Sequence, residues 1–118
     1  MIQQRRAVSV LLCLENFRGK KVKIDNLRWI AEWYRANTNG DWEHQHGIKI
    51  ETIDNPGWWV DIDVEETPLS TKPFVPVEIE RSDSDWIRCW VEGQKFKIAC
   101  GPLNLDEGLG IFRSWTES

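Results

Sequence analysis

Between Ile48 and Cys100, apolar and polar residues alternate in five separate runs. Ile48, Ile50 and Thr52 alternate with Lys49 and Glu51, and Trp58, Val60, Ile62 and Val64 with Trp59, Asp61 and Asp63. Val75, Val77 and Ile79 alternate with Glu78 and Glu80, then Ile87, Cys89 and Val91 with Trp86, Arg88 and Trp90. Phe96, Ile98 and Cys100 alternate with Lys95 and Lys97. Successive strand side chains point to opposite faces, so each run predicts a strand with one apolar and one polar side. The period lengthens on both flanks. DNLRWIAEWYRANTNG predicts a helix capped by Asp25 or Asn26, with a stripe of Leu27, Ile30, Ala31 and Tyr34 and a stop at Asn39-Gly40. NLDEGLGIFRSW predicts a second helix, with Asn104 as N-cap, Glu107 three residues on, and Leu105, Leu109, Phe112 and Trp115 along one side. Gly108 and Gly110 lower its intrinsic propensity, so packing has to hold it. The order predicts an α+β domain: an N-terminal helix, about five strands in an antiparallel meander, and a C-terminal helix, with both helices on the apolar face of the sheet.

Hairpin registers follow from the same alternation. A two-residue loop at Gly93-Gln94 pairs Val91 with Phe96, Cys89 with Ile98 and Ile87 with Cys100 on the inner side. Outside, it sets Glu92 against Lys95 and Trp90 against Lys97, an ion pair and a cation–π contact. The first hairpin turns through Asn55-Pro56-Gly57. Pairing Ile50 with Ile62 and Ile48 with Val64 predicts a Pro-Gly turn with a bulge at Trp58-Trp59, and sets Glu51 opposite Asp61.

The polar face left without a helix carries Lys49, Glu51, Trp59, Asp61, Asp63, Glu78, Glu80, Trp86, Arg88 and Trp90, acids in its middle strands and three indoles among them. Composition sharpens this. Eight tryptophans in 118 residues exceed what one small core readily hides, whereas Trp29 and Trp115 fall on helices and are expected inside. The formal charge of −4 excludes the basic stripe that nucleic acid requires and suits a basic protein partner instead. Three cysteines without Cys-x-x-Cys spacing fit a reduced, cytoplasmic protein better than a disulfide scaffold.

GDWEHQHG concentrates Asp41, Glu43, His44 and His46, residue types that ligate metals or move protons. No second ligand cluster accompanies them, so no metal or other cofactor is expected. Cys100 before the last helix could serve as a nucleophile, but it reads as an inward strand end beside Asp106 and Glu107, which disfavour a thiolate. Asp61 and Asp63 share a face in the manner of paired carboxylates, for which a solvated or partner-binding face is the simpler account. A small metal-dependent enzyme and a tryptophan-rich carbohydrate-binding module stay open as alternatives.

At the N-terminus, the apolar run Ala7–Leu14 is too short to span a membrane. RGKKV is what a purine-rich ribosome-binding site before a GTG start would encode, so residues 1–21 are expected to precede a natural start at Val22. The domain organisation expected is a doubtful extension over 1–24 and a single domain over 25–118.

LRWIAEWYRANTNGDWEHQHGIKIETIDNPGWWVDIDV and KPFVPVEIERSDSDWIRCWVEGQKFKIACGPLNLDEGLGIF together resemble the immunity protein 53 family of bacterial polymorphic toxin systems. The resemblance spans Leu27 to about Trp115. Where that family carries a cysteine or other small residue before the Asn-Gly pair, this chain has Thr38. Membership implies binding and neutralisation of a cognate toxin domain without catalysis. Joined to the residue pattern, it makes Asp41, Trp42, Glu43, His44, Glu51, Trp59, Asp61, Asp63, Glu78, Glu80, Trp86 and Trp90 the expected partner-binding set. Nucleic acid and membrane are not expected partners.

Overall fold

The computed structural model describes residues 25–118. The expected extension over 1–24, the Val22 start and Cys13 lie outside the described residues. Helix α1 (Asn26–Asn37) is capped by Asp25, whose carboxylate accepts the Arg28 N–H at 2.8 Å. A four-residue helix α2 (Trp42–Gln45) leads into β1 (Ile48–Ile53), β2 (Gly57–Asp63), β3 (Val77–Ser82), β4 (Asp85–Glu92) and β5 (Lys95–Cys100). Helix α3 (Leu105–Glu117) closes the chain. This is the α+β fold of two flanking helices and a five-stranded antiparallel sheet that the periodicity predicts.

The strands do not follow one another as a meander. Their order is β1-β2-β5-β4-β3, so β5 lies at the centre, antiparallel to both β2 and β4. The reason is the connection between β2 and β3, which is too long for a hairpin. It runs beneath the end of α3, where Phe74 meets Phe96 and Trp115 at 4.9 and 5.3 Å and Leu69 is buried. The Trp115 indole donates to the Pro73 carbonyl at 2.9 Å, and Lys72 donates to the Trp115 carbonyl at 2.7 Å. Anchored in this way, the chain delivers β3 to the far edge. Val75 stays outside that strand at 82% exposure.

The β4–β5 hairpin has the expected register, with Val91 opposite Phe96 and Ile87 opposite Cys100. Gly93 and Gln94 both have positive φ, 59° and 62°, the conformation whose twist suits a two-residue hairpin. The β1–β2 register differs by two residues from the expected one: Ile48 faces Ile62 and Ile50 faces Val60. Pairing continues unbroken to Ile53 and Gly57, and no bulge re-aims Trp58 or Trp59. The turn stays three residues long but moves to Asp54-Asn55-Pro56, which lets Gly57 pair with Ile53 and leaves the ladder without a bulge.

Both helices pack on one side of the sheet. α1 presents Trp29, Ile30, Trp33 and Ala36 rather than the expected stripe, since Leu27 is 66% exposed and Ala31 and Tyr34 face solvent. Two indoles one turn apart offer more apolar area than Leu27 and Tyr34, so the helix rotates to bury them. They meet Phe112 of α3 edge-on, at 6.1 Å from Trp29 and 5.1 Å from Trp33. Gly108 explains how α3 lies so close to the sheet: a Cβ there would stand 2.8 Å from the Ile98 side chain. Asn104 occupies the N-cap position without capping, because its side chain accepts from Trp86 N–H and donates to Asp85 in β4. No helix among the described residues is long and apolar enough to cross a membrane.

Candidate partner-binding face

With the helices on one side, the opposite side of the sheet carries no layer of its own among the described residues. Two rows of side chains cross it. One runs Glu51, Trp59, Ala99, Arg88, Glu78 and the next Lys49, Asp61, Lys97, Trp90. Trp59 on β2 and Trp90 on β4 reach toward each other over β5 and meet edge to face, 5.6 Å apart at 80°. Ala99 beneath them is buried for that reason, although it belongs to the outer face. The two indoles themselves stay half-buried.

Charge on this face is close to balanced rather than acidic in the middle, because the central strand β5 contributes Lys95 and Lys97. Lys97 donates to Asp61 at 2.8 Å and lies 5.7 Å from the Trp59 ring centroid. Burial works against ionisation of Asp61, but bonds from the Lys97 ammonium and the Trp59 indole hold its carboxyl below the usual carboxylate range. Lys95 bonds Asp63, which raises the lysine's pKa. The other Asp63 oxygen accepts the Gly47 N–H at 2.9 Å, so Asp63 ties the start of β1 down. The expected facing of Glu51 and Asp61 does not occur. Lys49 stands opposite Asp61, Glu51 stands opposite Trp59, and Lys49 and Glu51 approach to 3.7 Å along the strand.

The α1–α2 turn joins the same surface. His44 and His46 with Lys49, Asp61, Asp63 and Lys95 line a shallow hollow of about 310 Å³, so this segment and the sheet share one hollow. Within the loop, roles diverge. Asn39 Oδ1 accepts the N–H groups of Asp41 and Trp42, and the Glu43 carboxylate accepts those of Asn39 and Gly40 at 2.9 and 2.8 Å. Asn39 and Glu43 therefore cap each other's turn, and Asp41 is left exposed without a side-chain cap bond. Trp42 is withdrawn from the surface. It is 1% exposed, packs against Trp33 at 6.2 Å and donates to the Glu65 carbonyl at 2.9 Å. His46 sits between Asp63 and Glu66, 3.9 and 3.8 Å away, with its ring beside Trp42.

At the other end of the face, Trp86, Glu80, Asp83, Ser82, Arg88 and Asn55 line a second hollow of about 230 Å³. Arg88 reaches Glu78 at 3.4 Å. Of the expected set, the structure thus brings Trp59, Trp90, Asp61 and Asp63 together at the centre and His44 at one rim. Trp86 and Glu80 lie at the other rim, with Glu51 and Glu78 on the outer strands. Lys95 and Lys97 belong to the site although they were not in that set. Their alternation with Phe96 and Ile98 marked them as outward-facing, but only the central position of β5 makes them neighbours of Asp61 and Asp63.

Among the described residues no group of three or more histidines, cysteines or acids is arranged to hold a metal ion. Burial pushes the Cys89 thiol up to about 12 and Cys100 to about 11, so both are protonated, apolar parts of the core. What the face offers chemically is contact: a small indole centre, salt-bridged charges around it and a polar hollow at each end.

The sequence model of the family described as immunity protein 53 matches residues 27–117. No curated protein and no solved structure shows a significant match to the chain.

Proposed function

This chain belongs to the immunity protein 53 family, and we propose that it protects by occupying a cognate toxin domain with the open face of its sheet, without catalysis. The observation that supports this most directly is the Trp59–Trp90 pair. Two half-buried indoles hold an edge-to-face contact at the centre of a face that neither helix covers. Tryptophan in such a position is the residue type that most often carries binding energy, because it buries much area at little entropic cost. The hollow beside Trp86 adds Glu80 and Asp83, which suit an arginine or lysine from the partner. The net charge of −4 steers a basic toxin surface toward them.

Because Asp61 and Asp63 are engaged by lysines, their role here is to hold Lys97 and the indoles in place rather than to pair with the toxin. The energetic centre is then Trp59 and Trp90, with Trp86, Glu80 and Glu78 on one flank and Glu51 and His44 on the other. Calorimetric titration against the toxin domain encoded beside this protein tests the proposal. One-to-one binding that weakens as salt rises is expected. Loss of that binding on replacing Trp59, Trp86 and Trp90 together by alanine is the second expected result. Unchanged affinity in the triple variant would place the interface elsewhere.

A further inference from the structure

We infer that the outer edge of β1 is a self-association seam, through which two copies of this chain pair as antiparallel β1 strands centred on Ile50. Among the described residues, β1 ends the sheet and is paired on one side only, with β2. An unpaired edge presents a row of free N–H and C=O groups that another strand can complete. The hydrogen bond from Asp63 N–H to the Gly47 carbonyl fixes which residues those are. Residues 47, 49, 51 and 53 direct their backbone groups to β2, so Ile48, Ile50 and Thr52 direct theirs outward.

A two-fold axis at Ile50 satisfies this parity. Ile50 then lies opposite Ile50 of the second copy, and Ile48 opposite Thr52. Lys49 comes opposite Glu51, twice. The charge pattern of the strand is therefore complementary to itself in this register, which also matches its outward backbone groups. Ile50 gives the apolar contribution. It lies on the helix side of the sheet beyond the reach of the helices and is 39% exposed.

The opposite edge makes the contrast. β3 carries Glu78 and Glu80 on either side of Ile79, so the equivalent pairing sets acid against acid. The β1–β1 pairing centred on Ile50 places no like charges opposite each other. The result joins two five-stranded sheets into one and turns both tryptophan-bearing faces to the same side, so a dimer would display two partner-binding faces in parallel.

Sedimentation equilibrium of the full chain alone, without any toxin, tests this and leaves the toxin proposal untouched. Wild type is expected to move reversibly from the monomer to the dimer mass between low micromolar and near-millimolar concentration. Glu51→Lys, which keeps Lys49 opposite Asp61 within the monomer, should remain monomeric throughout. The swap Lys49→Glu with Glu51→Lys should restore the dimer. Register is tested separately with Ile50→Cys, which lies on the axis and should give a disulfide-linked dimer on mild oxidation. Thr52→Cys should not, because in this register its counterpart stands four residues away along the seam. A wild type that stays monomeric, an unaffected Glu51→Lys, or equal cross-linking at 50 and 52 would each overturn the proposal.

Discussion

Truncating Trp90 to alanine separates an interface anchor from a core residue, because the structure sets different magnitudes for the two. Trp90 is half-buried, touches Trp59 edge-on and donates to Glu92 at 3.1 Å. Half of an indole's burial is roughly 100 Å², which at about 25 cal/mol/Å² limits the folding loss to about 2.5 kcal/mol. Water refills a surface site, so the observed loss should be nearer ~1–1.5 kcal/mol, mostly the aromatic contact. Binding should suffer more, since an anchor at the centre of an interface is worth ~2 kcal/mol or above, about 30-fold in Kd. Trp42→Ala is the counterpart. At 1% exposure it should cost about 3–5 kcal/mol of stability and leave the affinity of the folded fraction unchanged. Urea unfolding followed by circular dichroism, together with calorimetry against the toxin domain, measures both quantities. Should Trp90→Ala bind within about twofold of wild type, or lose as much stability as Trp42→Ala, the assignment of Trp90 as an anchor fails.

Other consequences are simpler to check. Backbone N–H donation from Asn39 holds the Glu43 carboxyl below its ordinary value of 4.5. A group with a depressed folded pKa stabilises fully above its unfolded value and loses that contribution as pH falls through the folded one. Glu43→Gln should therefore flatten the acid limb of the stability curve below about pH 4.5, and a curve superimposable on wild type would refute the capping role. Gly57→Ala should destabilise by more than ~2 kcal/mol in thermal or urea melts, because a Cβ there would lie 2.2 Å from the Cys100 carbonyl oxygen. Cys89 and Cys100 should resist alkylation at pH 8 in the native protein and react on unfolding. Native-state labelling at either, read by mass spectrometry, would show that the core opens there.

Several features were legible in the residue pattern because they depend on neighbours in sequence. Period-two runs give strands whatever their order, and Gly93-Gln94 sets the β4–β5 register through turn geometry alone. The outward position of Trp59, Asp61, Trp86 and Trp90 follows from alternation, and so do the inward thiols of Cys89 and Cys100. The expected stripe on α1 misled because apolar spacing admits more than one helix face. Trp29 and Trp33 decide between those faces only once Phe112 lies opposite them to receive their area.

Strand order was beyond the sequence for a related reason. A chain of hairpin signals cannot reveal that the β2–β3 connection is held under α3 by Phe74, Pro73 and Lys72, contacts that span about forty residues. That single long-range fact moves β5 to the centre and converts a face expected to be acidic into one where Lys95 and Lys97 meet Asp63 and Asp61. Local periodicity determined which side of the sheet every residue takes, since side-chain direction is set by the pleat. Which residues become neighbours across that side was decided by tertiary packing, since non-local burial chooses among strand orders that the pleat leaves equivalent.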